Sequence, residues 1–563
     1  MSGAMGCSGG RAAAATRGGG GAAPVGPAKA TVARAERPTR FFRNAAGRLC
    51  ADFGRDAFGW LEIDAPRAGL EYFIVLGEHL LPDGTVNRVP GPCVRAVCAR
   101  WHTEKAGFQR IPLPPDPRNS FPAAEGVPIP VRPEFGVVMP FRAAEIHECG
   151  FPLDARKIRR LAVSYPADRD EASFECDDDR LNKVWDFCRH SMFATSFAGQ
   201  FVDGDRERIP YEADAFASQM NWYAVSSDCA YPRKSVEHLY SHPTWPTEFR
   251  QVSVLSAWAD WMWSGDDSSL RRNYATLKNE KLLLPWRRGD GLLRTGGERR
   301  PWPHMDNALG LADIVDWPQS ERDDFDFREV NAVVNAFHYR SLLAMRDIAA
   351  AIGEDVDTAE FGRMARATRA AFRRTFFDPA TGLFVDGEGS RHSALHPNAL
   401  ALAFGLATPR AAARIADWLE GRGMACSVYF AMYLLKALYA AGRADAAFRL
   451  LVADGDRGWL GMMRMGATIT AEAWNMGVKP NMDWNHSWGA TALSAVAWGL
   501  LGVKPLAPGF SRILVAPQPG PLKRLRAVVP TRAGPVRVEL DDGSLHVESP
   551  SPAAPAPVPR GRV

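Results

Sequence analysis

Asp177-Asp178-Asp179-Arg180-Leu181-Asn182-Lys183-Val184-Trp185-Asp186-Phe187-Cys188-Arg189-His190-Ser191-Met192 is where the chain changes character. Leu181, Val184, Trp185, Cys188 and Met192 recur at intervals of three and four, which puts them on one helical face. The acids ahead of them suit the positive end of a helix dipole. Upstream, from Phe41 to about Tyr165, short apolar runs such as Tyr72-Phe73-Ile74-Val75-Leu76 and Gly136-Val137-Val138-Met139 are broken by Pro and Gly. This predicts a β-sandwich over 41–170. Downstream, helical periodicity continues through 212–228, 249–282, 326–352, 355–376, 395–420, 426–453 and 487–501, enough for about ten to twelve helices of ordinary length. After Pro508 strand patterns return (Arg512-Ile513-Leu514-Val515, Val536-Arg537-Val538-Glu539-Leu540), predicting a small C-terminal β-domain over 507–549. The order suggests a mainly α protein, an antiparallel helical barrel flanked by β-modules. Periodicity does not separate a barrel from a solenoid, but no fixed-length repeat is visible.

Composition narrows the function classes. At 563 residues, with 46% hydrophobic and 23% charged residues, the chain has length for a large core with satellite domains and reads as soluble and globular. Its 68 basic and 64 acidic residues leave a net charge of +4, too small a field to point to nucleic acid. A neutral or weakly charged substrate is expected, with no nucleic-acid and no membrane partner. Nine cysteines lie far apart, and Cys93 and Cys98 have no second pair to complete a zinc site. That usage fits a reducing, cytoplasmic location. Residues 1–40 are Gly/Ala-rich, with an alanine run of only Ala12 to Ala15, and are expected to be a disordered leader rather than a secretory segment. Residues 550–563 are expected to be a disordered tail. No later apolar run approaches the roughly 18 residues of a bilayer span. Neither metal nor organic cofactor is expected. His238 and His242 lack the glutamate of the metalloprotease pattern, and Gly18 to Gly21 has no following lysine.

The chemistry-bearing residues fall between the helical segments, where a rigid scaffold displays binding groups. Phe201-Val202-Asp203-Gly204-Asp205-Arg206-Glu207-Arg208-Ile209-Pro210-Tyr211-Glu212-Ala213-Asp214-Ala215 carries five acids and two arginines. So much charge is costly to bury unless it is paired or used. A glycosidase needs two carboxyl groups facing each other across the scissile bond, so a partner for Glu207 is expected on a distant loop. Glu472 is the choice. It lies in Gly466-Ala467-Thr468-Ile469-Thr470-Ala471-Glu472-Ala473-Trp474, shortly before Asp483-Trp484-Asn485-His486-Ser487-Trp488. The plain alternative is a helix-end glutamate in a surface pair. Among 17 tryptophans, Trp302, Trp317, Trp474, Trp484 and Trp488 stand in polar loop contexts. Flat indoles there suit stacking on sugar rings, against the ordinary role of core filling.

These residues also carry a resemblance. Asp203, then Arg206-Glu207-Arg208, Tyr211 and Asp214, followed by Thr468 to Trp474 and Asn485-His486, resemble the acidic motifs of the α-L-rhamnosidase family, glycoside hydrolase family 78, within the six-hairpin glycosidases. The resemblance runs from about Ser173 to Pro517. It implies an (α/α)6 barrel catalytic domain over 171–506 and inverting hydrolysis of terminal α-L-rhamnosides or a related glycoside. It implies Glu207 as general acid, with Asp214 seven residues on, and Glu472 as general base, with Trp474 just after it. Asp203 and Asp214 become ligands of sugar hydroxyls, and Arg208, Trp317, Trp474 and His486 members of the sugar pocket. The chain departs from the family's pattern around both the acid and the base. Gly204-Asp205 and Pro210-Tyr211 stand where the family often has a Cys-Pro step and a Gly-Trp. Asp203 lies one residue closer to the acid, and Ala471 replaces an aromatic before the base.

In chemical terms, protonated Glu207 donates to the glycosidic oxygen while ionised Glu472 takes a proton from the attacking water. Inversion needs room for that water, about 6.5 to 9.5 Å between the carboxyl groups. A cation against Glu207 would weaken it as an acid, so Arg206 and Arg208 are expected to pair with Asp203, Asp205 or Asp214. Two other readings stay open: a polysaccharide lyase on the same kind of barrel, recruiting Tyr211, His304 or His486 to remove a proton, and a catalytically inactive carbohydrate-binding protein.

Overall fold

A computed structural model describes residues 23–116, 126–296, 311–551 and 553–555. Trp302 and His304 lie outside the described residues. The N-terminal part is one antiparallel eight-stranded sheet: β1 (Val32–Glu36), β2 (Arg40–Arg43), β3 (Leu49–Ala65), β4 (Glu71–Gly77), β5 (Ala96–His102), β6 (Gly107–Arg110), β7 (Met139–Cys149) and β8 (Ile158–Ser164). Its path runs β1-β8-β3-β7-β4-β5, with β2 and β6 paired to opposite ends of the long β3. Because β1 begins at Val32, regular pairing reaches back into the stretch read as leader. The apolar run Tyr72–Leu76 forms β4 and is unbroken because both faces are covered. Tyr72, Ile74 and Leu76 enter one core, while Val75 packs with Cys50, Val86 and Ala143 on the other side.

The helical part begins with α1 (Asp179–Ala194), where the Asp178 side chain accepts from the Arg180 N–H as the N-cap. It continues through α2 (Gly204–Glu207), α3 (Glu212–Tyr223), α4 (Ala230–Ser241), α5 (Thr247–Ser264), α6 (Ser268–Thr276), α7 (Ala332–Ile352), α8 (Asp355–Phe376), α9 (Leu395–Ala403), α10 (Pro409–Arg422) and α11 (Ala431–Ala440). The continuous period over 249–282 is split between α5 and α6 because Gly265 takes φ 75° and caps α5. Asn331 caps α7, its side chain accepting from the Val333 and Val334 N–H groups. Thr408 does the same for α10, with Pro409 at the first helical position. α3 packs on α5, α5 on α7, α7 on α8 and α9 on α11, around one continuous apolar core. Among the described residues no helix is long and apolar enough to cross a membrane.

The chain enters and leaves the helices through one sheet. Strand Ser173–Cys176, just before α1, pairs antiparallel with Arg524–Val529, which continues to Val536–Asp541 and Ser544–Glu548. A second small sheet pairs Val503–Ala507 with Arg512–Val515 and, in parallel, Arg512–Val515 with Ala553–Pro555, so regular pairing also reaches into the stretch read as a disordered tail. The two ends of the helical part are thereby tied together.

Candidate active site

The loop carrying Glu207 closes on itself. The Asp203 N–H donates to the Ile209 carbonyl at 2.8 Å, and the Arg208 N–H donates to the Asp203 carbonyl at 2.9 Å. Gly204 (φ 22°) and Arg208 (φ 57°) take positive φ to make this turn. Glycine is required at 204, since a Cβ there would run into the Asp483 carboxylate. The Asp483–His486 segment holds the loop from the far side. The Asp205 N–H donates to Asn485 Oδ1 at 2.7 Å and the Arg206 N–H to Asp483 Oδ2 at 3.0 Å. Below, the Asp205 carboxylate meets Arg208 Nη2 at 2.5 Å and Arg95 Nε, from the N-terminal sheet region, at 2.6 Å.

Above the loop opens a cleft of about 310 Å³. Its polar floor holds Asp203, Arg206, Glu207, Asp214, Glu472, Lys479 and His486, and its apolar walls include Trp245, Phe249, Trp317 and Trp488. Glu207 and Glu472 thus line one cleft from positions far apart in the chain. Glu472 is 2% exposed and accepts from Arg206 Nη2 at 3.0 Å, from Lys479 Nζ, and from the Asp483 N–H at 3.1 Å. Accepting three donors is the behaviour of an ionised carboxylate. Glu207 is 23% exposed; it touches Arg206 Nη1 and accepts from the Tyr211 hydroxyl at 2.9 Å.

The charges of this cluster set one another. Loss of hydration, then the Asp203 charge, pushes the Glu207 carboxyl up to about 8 despite Arg206. Burial works in the same sense on Asp203, but Arg206, His486 and Lys479 outweigh it and hold Asp203 well below the usual carboxylate range. His486 Nε2 sits 3.0 Å from Asp203 Oδ1 and 3.4 Å from Asp214 Oδ1. Burial alone would neutralise that imidazole, yet the two carboxylates raise it to about 10. Burial lifts Asp214 to about 6, and burial with Glu472 and Asp203 lifts Asp483 to about 8. Oxygens of Asp203, Glu472 and Asp483 lie within 4.8 Å of one another, a grouping able to hold a cation. The guanidinium of Arg206 and the ammonium of Lys479 already bring positive charge to it.

Asp203, Glu207, Asp214, Trp317, Glu472 and His486 all line the cleft. Arg208 and Trp474, assigned to the pocket from the sequence, do not. Arg208 runs beneath the loop, where it pairs with Asp205, donates to the Val138 carbonyl at 2.8 Å and lies 5.0 Å above the Phe197 ring. Trp474 is wholly buried, its Nε1–H donating to the Cys426 carbonyl at 2.7 Å and its ring set edge-on to Trp459. Arg206 reaches Asp203 at 3.5 Å as expected, but it also contacts Glu207, contrary to expectation. That contact uses a single nitrogen, not the bidentate fork, because the other terminal nitrogen is engaged by Glu472. Lys479 and Trp245 were missed. Lys479 follows Glu472 by seven residues, a spacing with no motif to flag it.

The fold is that of the six-hairpin glycosidases. Residues 169–496 match the bacterial alpha-L-rhamnosidase 6 hairpin glycosidase domain, and residues 502–552 match the bacterial alpha-L-rhamnosidase C-terminal domain. With more than half of its length matched by the first of these, the chain belongs to that family. It is 26% identical over 305 residues to an alpha-L-rhamnosidase of Alteromonas sp. (strain LOR), a match covering 51% of this chain and 31% of that protein. Among solved structures it is similar to the GH78 family rhamnosidase of Bacillus sp. GL1 (TM-score 0.70, 20% identity, 91% of this chain and 53% of that one). It is also similar to the Streptomyces avermitilis alpha-L-rhamnosidase complexed with L-rhamnose (TM-score 0.71, 16% identity, 92% and 48%). The chain therefore spans about half the length of these structures and a third of the Alteromonas protein.

Proposed function

We propose that this chain is a glycoside hydrolase that cleaves terminal α-L-rhamnosides or a closely related glycoside with inversion. Residues 171–506 act as an (α/α)6 barrel catalytic domain between the β-domains of 41–170 and 507–549. The reading rests on one observation: two glutamates line a single indole-walled cleft, Glu207 with its proton affinity raised by burial and Glu472 accepting from three donors. A carboxyl group whose proton affinity burial raises, across a cleft from one that accepts from three donors, is how an acid and a base are told apart. Glu207, raised by burial and by Asp203, carries the proton that passes to the glycosidic oxygen as the bond breaks. Glu472, accepting only, takes a proton from the water attacking the opposite ring face.

Asp203 and Asp214, joined through His486, form a rigid row of acceptors for sugar hydroxyls, and Trp317 with Trp245 gives the ring a flat wall. Arg206 ties acid and base to one guanidinium, fixing their relative position. The test is a panel of p-nitrophenyl glycosides that includes the α-L-rhamnoside, with the first-formed anomer read by proton NMR. Release of β-L-rhamnose is expected. A retained α-anomer would overturn the inverting assignment, and failure to hydrolyse any member would overturn the enzyme reading itself.

A further inference from the structure

A second pocket, of about 290 Å³, lies away from the acids and is built from the same helices. α3 carries Asp214 into the catalytic cleft near its start and Phe216 and Met220 into the second pocket further along. α5 does likewise, with Phe249 in the cleft and Leu255, Trp258, Ala259 and Trp263 in the second pocket. At ~1.5 Å rise per residue, these offsets separate the two cavities by roughly two helical turns.

The walls of the second pocket are aromatic: Trp258, Trp263, Phe404, Tyr433, Tyr439 and Trp498 are its principal faces. Three cations share it. Arg340 lies 4.8 Å over the Trp258 ring, Lys436 lies 5.5 Å over Phe404, and Lys504 comes from the strand that follows the helices. Among the described residues none of these three forms an ion pair. The acid that acts on Arg340, Asp347, is itself paired with Arg346 at 2.6 Å. Lys436 and Lys504 are exposed and Arg340 is half-buried; loss of hydration, then the charges of Arg340 and Lys504, draws the Lys436 ammonium below the ordinary lysine value. Three like charges beside an apolar cavity, with no acid of the chain paired to them, favour an anionic ligand there.

From this geometry we infer that the second pocket is a binding site for a small aromatic carboxylate, its ring stacked among Trp258, Trp263 and Trp498 and its carboxylate set between Arg340, Lys436 and Lys504. The volume sits at the lower end for small-molecule sites, about 300 Å³ upward, which suits one or two fused rings. A ring held by indoles beneath flanking cations also keeps the cation–π contacts already present.

The test titrates the full chain with 2-naphthoate by calorimetry and by quenching of tryptophan fluorescence. Naphthalene-2-carboxamide serves as the neutral isostere and octanoate as the non-aromatic anion. One-to-one binding of naphthoate is expected, at least about tenfold tighter than either control, because one charge-assisted contact is worth that factor or more. Lys436→Gln should weaken naphthoate about tenfold and the amide hardly at all, and Arg340→Gln should act in the same sense. Neither variant should alter glycoside hydrolysis, which uses the other cleft. Equal binding of acid and amide, binding unaffected by Lys436→Gln, or no binding at all would overturn the charge assignment. Octanoate binding as tightly as naphthoate would overturn the aromatic one.

Discussion

Replacing Asp203 by Asn tests the electrostatic origin of the acid strength proposed for Glu207. The Asp203 charge is, after burial, the largest influence raising the Glu207 carboxyl, while Arg206 and then the Tyr211 hydrogen bond oppose it. Two unit charges about 4 Å apart interact by about 4 kcal/mol at an effective dielectric near 20, equivalent to about 3 pKa units at ~1.4 kcal/mol each. Glu207 keeps 23% of its side-chain surface open to the cleft, so solvent screening reduces this to about 1 to 2 units. The sign is fixed: without the neighbouring negative charge the Glu207 proton is lost more easily, and Arg206, freed from Asp203, adds to the same effect. Catalysis by a general acid is present while the acid is protonated and fades as pH rises through its pKa. The alkaline limb of kcat/KM, placed near pH 8 in the parent by the raised Glu207, should therefore move down by about 1 to 2 pH units in Asp203→Asn. The assay should follow release of rhamnose from methyl α-L-rhamnoside over about pH 5 to 10, because an alkoxide leaving group depends on the donated proton. Asp203 also contacts the sugar in this scheme, so the amplitude will fall, but the position of the limb reports the free enzyme's acid whatever the amplitude. A limb that stays in place or moves upward would refute the argument.

Two further outcomes are expected. Glu207→Gln and Glu472→Gln should each lower turnover of the methyl glycoside by about 10²- to 10⁴-fold with circular dichroism unchanged, the Glu207 variant losing far less on a nitrophenyl glycoside; parent-like turnover would remove the role of that residue. His486→Gln should lower the melting temperature in a pH-dependent way. The folded-state imidazole, raised to about 10 from 6.5, contributes stability that is fully present below about pH 6.5 and lost as pH rises through about 10. The deficit of the variant should then be largest near about pH 6 and shrink toward pH 10, and a deficit constant with pH would contradict the pairing with Asp203 and Asp214.

Local pattern revealed the helices because each buries one stripe of a 3.6-residue period: the sequence windows 355–376 and 395–420 coincide closely with α8 and with α9 plus α10. The acid-rich loop was legible for a different reason, since charge at that density must be paired or used. What remained hidden is non-local. Strand Ser173–Cys176 belongs to a sheet completed some 350 residues later, and nothing within four residues of Ser173 encodes that partner. Arg208 adjoins Glu207 in the sequence, but the left-handed turn that ends the loop carries its side chain underneath to Asp205. Trp474 stands in a polar stretch of sequence, yet its indole nitrogen is satisfied by the Cys426 carbonyl, the partner that lets a tryptophan be fully buried.

In the proposed reaction, the same non-local contacts give the N-terminal sheet region a part in holding the two glutamates. Glu78 Oε2 accepts from Asn485 Nδ2 at 3.0 Å, and its Oε1 accepts from the Arg95 N–H at 2.6 Å. Arg95 in turn bridges Asp205 and Asp116. Burial pushes the Glu78 carboxyl well above its ordinary value, so its task here is to accept hydrogen bonds rather than to balance charge. Asp56, from β3, shares two hydrogen bonds of 2.7 Å with the Thr468 hydroxyl, four residues before Glu472. The Glu207 loop and the Glu472 loop are thus each moored to the sheet through buried polar groups, whose burial costs free energy that a purely apolar interface would not. Such contacts are poor contributors to stability and good at fixing geometry, since a buried donor or acceptor tolerates little displacement before it is left unpaired. An inverting pair needs two carboxyl groups held a water's width apart while only one keeps its proton. The helices supply the two loops, and the polar moorings to the sheet region hold those loops at a fixed spacing.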